Sequence, residues 1–487
     1  MSVQIFLQGQ FHGIEDFLIS APPASEAPAA GVCGEKLLIG RSRWVSLLSE
    51  ILPRAMLLEL ELPAVLLGSS GGGQFLVVLP DEALPRATSF MERATDAVNQ
   101  LTGGLLELYW SSTENLGDWS VVRKRLSEKN ERLRNQPLSP GAEGAFAPFD
   151  QPDVPDTGGY FTAEMSNRLQ DAPAVGWSPE SPARLRVEEG KYTWPLRGAP
   201  DAVPLARHAA PGDDSSRTAS PIELAARAQG RKAWGVLHGD VDNFGLRMRR
   251  AQSIEEHVQI SLLYKRFFAG ELEVLCSMPE FWQRVSIFYS GGNDFAVFGS
   301  WDALVLLARE LQRLFHRFSE ENLKDIPGAE GKTISMALSM APEPDSALAE
   351  VYRDASDKLQ LAKSTNKDCF YVFGHPVEWR QLAQAAELQD NLGRLVQGFG
   401  GSPQLLGDLI RYYKRGALSA GSGGGRVARP WRYHRRLSLV AAGARDREYQ
   451  KLRSKLVIDL IGKSAAQARL RPGGRVALEW ARLMSEA

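Results

Sequence analysis

Two stretches, about 50 residues apart, constrain this chain more than anything else in it. Residues 235–245 read GVLHGDVDNFG, an apolar strand ending in the carboxylates Asp240 and Asp242. Residues 284–302 read RVSIFYSGGNDFAVFGSWD, two β-forming runs separated by Gly291-Gly292-Asn293-Asp294. That is the pattern of a β-hairpin with glycines at its tip. Carboxylates at a strand end suit hard divalent cations such as Mg²⁺. Such ions neutralise a triphosphate and activate a hydroxyl. Asp240 and Asp242 share a face if the strand runs through both. If it stops at Gly239, Asp240 and the Val241 carbonyl share an ion instead. Asp294 offers another carboxylate, and Gly291 and Gly292 let phosphate approach the backbone. Lys363 and Lys367 bracket Ser-Thr-Asn just after a helical pattern, where they can meet phosphates. The plainer alternative is two Asp-containing turns and a solvated helix end.

The surrounding pattern predicts an α+β chain. A strand at 3–8, a helical pattern from Trp44 to Leu58, a glycine-turn hairpin at 63–80, a helix at 84–98 and a strand at 105–111 give β–α–β–β–α–β. Residues 232–373 repeat that order: a strand at 234–238, a helix at 253–276, the Gly291 hairpin, a helix at 301–321 and a strand at 333–340. A helix at 345–364 and a strand at 370–373 follow. Two units with one order of elements read as an internal duplication. Residues 135–230 are rich in Pro, Gly, Ser and Asp and read as an irregular insert. From 376 onward the pattern is helical. The expected division is 1–125, 126–230, 231–376 and 377–487.

Net charge over the 487 residues is −1, yet residues 411–482 carry 18 Lys or Arg against Asp446, Glu448, Asp459 and Glu479. A basic helical end on an acidic body suits a polyanion, and Arg435, Arg436, Lys451 and Lys455 are candidate RNA contacts. Three scattered cysteines and no Cys-x-x-Cys exclude a disulfide framework and a cysteine zinc site. With no secretory leader and no apolar run of membrane-spanning length, a cytoplasmic protein without membrane contact is expected.

The motifs resemble those of the large subunit of type III CRISPR effector complexes, the palm-containing protein of the Csm and Cmr assemblies. HGDVDNFG is similar to that family's D-x-D-N-L-G, and FYSGGNDFAVFGSWD to its Y-x-GGDD-x-x-x-x-G-x-W-D. ISMALSMAP and VYRDASDKLQLAKSTNKDCFYVFG resemble the strand, helix and closing strand that follow. GQFHGIEDFLI, LLIGRSRWVSLLSE and SSGGGQFLVVLP resemble the motifs of its first palm, and ARPWRYHRRLSLVA a segment of its helical C-terminal domain. The resemblance implies two ferredoxin-like palm domains of nucleotidyl cyclase type, an insert between them and a helical C-terminal domain. It implies crRNA and target RNA as partners, with a small helical subunit and a repeat-binding backbone subunit. It also implies ATP with Mg²⁺ or Mn²⁺ at the second palm. There Asp240, Asp242 and Asp294 are the carboxylates, Gly291, Gly292, Asn293, Lys363 and Lys367 the nucleotide contacts, and Asp240, Val241 and Asp294 the ion contacts.

Four departures qualify it. No His-Asp dipeptide occurs, so no HD nuclease domain is expected. The family's paired zinc cysteines between the palms are missing, so no zinc is expected. Gln10 stands where the first palm's pattern has an aspartate. Asn293 stands at the third position of GGDD and brings no negative charge. The expected function is a scaffolding large subunit in antiviral defence whose cyclase is weak or lost. The alternative within the family is a working cyclic oligoadenylate synthase. Outside it stand a stand-alone nucleotide cyclase and a nucleic-acid binder with inert palms.

Overall fold

The computed structural model describes residues 4–20, 34–135, 155–199, 201–214, 217–398, 404–411, 447–460 and 472–486. Everything below concerns these residues. Among them, no helix is long and apolar enough to cross a membrane.

The first unit is built on strands β1 (Gln4–His12), β2 (Leu67–Gly71), β3 (Gln74–Pro80) and β4 (Glu107–Glu114). They form an antiparallel sheet in the order β2-β3-β1-β4. Helices α1 (Ile14–Ile19) and α2 (Glu35–Glu59) lead from β1 to β2, and α3 (Leu84–Thr102) joins β3 to β4. α2 and α3 cover one face, with Trp44, Leu48, Phe90 and Met91 buried against Ile5, Leu7 and Val77. The other face is apolar only at one end, where Phe6 and Leu76 meet Trp119 and Val122 of α4 (Trp119–Asn135). The boundary expected at 125/126 falls inside α4. That helix carries few apolar positions among its charges, so its periodicity does not stand out in the sequence.

Residues 155–214 hold a three-stranded sheet, ordered β6-β5-β7, made of β5 (Ala174–Trp177), β6 (Arg186–Val187) and β7 (Tyr192–Pro195). Helix α2 anchors this region. Arg43 donates to the Ser166 carbonyl at 2.8 Å and Trp44 Nε1 to the Ala183 carbonyl at 2.8 Å. A Cβ on Gly40 would lie 1.9 Å from the Phe161 carbonyl oxygen, so the chain passes α2 there only because position 40 is glycine. Arg41 holds the end of α1 from the same helix, bonding the Phe17 and Ser20 carbonyls. The GRSRW run is thus a set of backbone anchors for two neighbouring segments.

The second unit begins after α5 (Pro221–Ala226), whose N-terminus is a capping box between Ser220 and Glu223. Its strands are β8 (Trp234–Val241), β9 (Val285–Ser290), β10 (Asp294–Ser300), β11 (Ile334–Met340), β12 (Cys369–Val372) and β13 (His375–Glu378). They form one sheet in the order β13-β12-β11-β8-β10-β9. Its core β9-β10-β8-β11 repeats the strand order of the first sheet. The expected boundary at 376/377 falls inside β13, which pairs with β12. Central β8 is buried on both faces, so its opening residues Trp234–Leu237 do not alternate between apolar and polar. Leu237 and Val241 enter a core with α6 (Phe244–Arg250), α7 (Ile254–Arg266), α8 (Leu272–Cys276) and α9 (Trp301–Asn322). Trp234 and Val236 enter another with α10 (Leu348–Thr365) and with Leu38 and Ile39 of α2. Helices α11 (Trp379–Gly398), α12 (Arg447–Leu460) and α13 (Pro472–Ser485) close the first of these cores.

α4 also touches the second unit. Arg123 donates to the Met248 carbonyl at 2.6 Å, and Trp119 meets His257 of α7 edge-on at 5.2 Å. Burial, with Arg123 adding to it, pulls the His257 imidazole down to about 4. The unfolded chain therefore takes up this proton first. The stabilisation is complete above the ordinary histidine value near 6.5 and is lost as pH falls from there toward 4. His257→Phe should remove that part of the pH dependence. Denaturant midpoints at pH 7.5 and pH 5 check this, and equal pH slopes in both proteins would count against it.

Candidate functional site

The site lies where β8 ends beside the β9–β10 hairpin. Asp240 and Asp294 are register partners on these antiparallel strands, and Ser335 of β11 is the partner of Asp240 on the other side. Directly opposed residues point to one face, so the two carboxylates stand side by side on the face that α10 covers. Gly239 precedes Asp240 because a Cβ there would meet the Phe295 ring at 2.3 Å.

Each carboxylate already has partners. Asp240 Oδ1 accepts from Asn293 Nδ2 at 2.8 Å, and Oδ2 is ion-paired with Lys363 from the last turn of α10. The oxygens of Asp294 lie 2.9 and 3.0 Å from the Tyr289 hydroxyl. Burial, reinforced by Asp240, pushes the Asp294 carboxyl up to about 7. Burial and then Asp294 push the Tyr289 phenol well above its ordinary value. A Cβ on Gly291 would come within 2.3 Å of Asp294 Oδ1 and 2.6 Å of the Tyr289 hydroxyl. Gly291 therefore makes room first for this internal bond. Gly292 faces the first unit: a Cβ on Gly72, which has φ +62°, would lie 3.0 Å from the Gly292 nitrogen. The two glycine hairpins meet tip to tip.

Asp242 departs from the arrangement expected of it. The strand ends at Val241, whose N–H donates to the Asn293 carbonyl at 3.0 Å. The Asp242 carboxylate is 1 % exposed. It accepts from Thr333 Oγ1 at 2.8 Å, Ser335 Oγ at 2.8 Å and the Asp368 N–H at 2.9 Å. It ties β8 to the starts of β11 and β12 and does not join Asp240 and Asp294. Lys367 does reach the rim, bonding the Asn243 side-chain oxygen. Among the basic candidates, Lys451 is exposed on α12 and Lys455 is ion-paired with Glu387 of α11 at 2.6 Å. Arg435 and Arg436 lie outside the described residues.

The first unit carries the same geometry with different chemistry. Gly9 opposes Phe75 as Gly239 opposes Phe295, and the next pair is Gln10 with Gln74 where the second unit has Asp240 with Asp294. Gln74 escapes sequence reading because a lone glutamine after a glycine turn carries no signal until the register is known. A cleft of about 790 Å³ opens over this amide pair, lined by Gln8, Gln10, Gln74, Tyr109 and α4, with Asn293 at its edge. It does not lie over Asp240. Amides bring no charge for a cation, and Gln10 and Gln74 are not ion ligands of the kind the second unit's carboxylates could be.

The donor set of the second unit does not fit a resident pair of divalent ions. Asp240 is occupied on both oxygens and Asp242 is spent on the fold. Among the described residues no group of three or more His, Cys, Asp or Glu is placed to hold a metal.

Residues 233–371 match the family described as Cas10/Cmr2, second palm domain. Curated relatives include the single-strand-specific deoxyribonucleases Cas10/Csm1 (subtype III-A) of Mycobacterium tuberculosis, 23 % identical over 203 residues, and Enterococcus italicus, 28 % identical over 155 residues. These alignments cover 37 % and 31 % of this chain but 24 % and 19 % of the relatives' own lengths. The crystal structure of Csm1 from T. onnurineus superposes with a TM-score of 0.70 at 16 % identity, over 100 % of this chain and 70 % of that one. A Csm1–Csm4 cassette in complex with AMPPNP superposes at 0.67, with 16 % identity over 99 % of this chain and 70 % of that one. Residues 233–371, with the Gly-Gly hairpin beside β8, are thus similar to the second palm domain of Cas10/Cmr2, and the fold along the chain is similar to that of Csm1.

Proposed function

We propose that this protein acts as the large subunit of a type III CRISPR effector complex, scaffolding crRNA and target RNA in antiviral defence, with its cyclase weak or lost. Asn293 carries the second half of that reading. In the matched palm segment it stands where the resemblance puts an aspartate, and its amide donates to Asp240. The common strand order of the two sheets supports reading the first unit as a palm as well. The domains are then a first palm, an insert anchored on α2, a second palm and a helical C-terminal domain near the expected boundaries.

The partners proposed are crRNA, target RNA, a subunit of the Csm4 kind, a small helical subunit and a repeat-binding backbone subunit. The similar structures bound to AMPPNP, ATP and pppApA support ATP as the ligand of the palms. Gly291, Gly292, Asn293, Lys363 and Lys367 would be its contacts, with no ion required for the scaffold role.

Purification from the native host should bring down neighbouring gene products and a bound small RNA. A pure, RNA-free and fully active monomer would overturn the reading. Given target RNA, ATP and Mg²⁺ or Mn²⁺, the complex should form few or no linked adenylates. Abundant product that disappears in Asp240→Ala would establish the second reading, a working oligoadenylate synthase. That reading is favoured by the surviving Asp240–Asp294 pair with Lys363 beside it.

A further inference from the structure

Asp240 and Asp294 are forced onto one face by their register. Two neighbouring carboxylates can both ionise only with a countercharge beside them, because like charges directly opposite each other in a sheet are destabilising. In this chain the countercharge comes from the protein. Lys363 sits in the last turn of α10, where a cation also complements the negative end of the helix. Its ammonium pairs with Asp240, and both side chains are largely covered, at 16 % and 24 % exposure. The remaining Asp240 oxygen accepts from the Asn293 amide, which turns its N–H and not its oxygen toward Asp240. An ion entering here would have to displace Lys363, turn over the Asn293 amide and compensate for the missing third carboxylate.

We propose that Lys363 is the resident counter-ion of this site, held in place of a divalent cation. The chain on its own should then bind no such ion at Asp240 until Lys363 is removed or a carboxylate is restored at position 293. This rests on reading the face as an inherited nucleotide site, and it extends that reading to the site's cation chemistry.

The test is a Mn²⁺ titration of the full chain, without nucleotide or RNA, followed by electron paramagnetic resonance of the free ion. Wild-type protein should match Asp240→Asn, with no ion attributable to this site up to millimolar Mn²⁺. Lys363→Met and Lys363→Gln should each bind Mn²⁺ at least tenfold more tightly than wild type, and the gain should vanish when Asp240→Asn is added. Asn293→Asp serves as the variant that restores the third carboxylate, and it too should gain an ion. Circular dichroism identifies any variant that fails to fold, and either Lys363 variant suffices. Two results would overturn the proposal: an ion held by wild type and lost in Asp240→Asn, or no gain in a folded Lys363 variant. Neither touches the effector-subunit reading, which falls only if RNA and partner proteins do not co-purify.

Discussion

Glu50→Ala is expected to destabilise the protein by about 3–5 kcal/mol, the usual cost of removing one partner from a buried ion pair. Glu50 lies on α2 with its side chain 4 % exposed. Its Oε1 is 2.8 Å from Lys265 Nζ of α7, and its Oε2 is 2.6 Å from Arg54 and 2.8 Å from Ser70 Oγ. Lys265 also reaches Ser70 Oγ at 3.0 Å, at the base of the Gly71–Gly73 turn. One carboxylate therefore joins the first unit's hairpin to the second unit, next to the place where the two hairpin tips touch. Without it, the Lys265 ammonium is left buried and uncompensated. Glu50→Met with Lys265→Met should recover most of the loss, because it removes the Lys265 charge, while Arg54, 19 % exposed, keeps its bond to the backbone carbonyl of residue 50. Denaturant midpoints of the single and double variants decide this. If the double variant is as unstable as Glu50→Ala, packing and not charge is the cause.

The same residue sets an acid limit. Burial alone would raise the Glu50 carboxyl, but Lys265 and Arg54, with hydrogen bonds from Lys265 and Ser70, hold it below the usual carboxylate range. A folded value below the unfolded one means that the stabilisation is complete above the ordinary carboxylate pKa, about 4.3. It is lost as pH falls from there through the lower folded value. The stability difference between wild type and Glu50→Gln should therefore shrink as the solution is acidified below about pH 4.

Asp242→Ala and Asp240→Ala should separate sharply, although the two residues share one motif. Asp242→Ala removes a buried acceptor and strands Thr333 Oγ1, Ser335 Oγ and the Asp368 N–H. Hydrogen bonds to a charged group contribute about 1.5–3 kcal/mol each, and unsatisfied buried groups add their own cost. Non-additivity within one network brings the expected loss to about 3–5 kcal/mol. Asp240→Ala removes a pair that is largely covered but not fully buried, at 24 % and 16 % exposure, and Asp294 remains beside Lys363, so the expected loss is smaller, about 1–2 kcal/mol. Thermal and denaturant unfolding of the two variants test the split. Comparable losses would return Asp242 to the candidate site and would falsify the assignment of its carboxylate to the frame.

The contrast between these two aspartates shows what sequence reading can reach. Their i,i+2 spacing on an apolar strand is visible in the letters, and it suggests a shared site. What each carboxylate does depends on Thr333, Ser335 and Lys363, some 90 to 123 residues further along the chain. The hairpin at 290–294 is legible because glycine and alternation act locally. That Gly291 is needed for the Tyr289–Asp294 bond is not, because that is a matter of packing. The middle region reads as irregular because its strands are two to four residues long and its anchors, Arg43 and Trp44, lie on α2, more than 100 residues upstream of what they hold.

By itself the amino-acid order determined what local physics controls. It sets out the alternation and helical periods of both units, the two glycine turns, the asparagine at 293 and the family resemblance those motifs carry. Tertiary structure alone decided the register that opposes Asp240 to Asp294 and Gln10 to Gln74. It also decided the union of Glu50 with Lys265, and the lysine that neutralises one aspartate while the other becomes part of the frame. The reason is range. Turns and periodicity arise from neighbours along the chain, whereas the fate of a charge depends on which distant dipoles and counter-ions folding brings within a few ångströms of it.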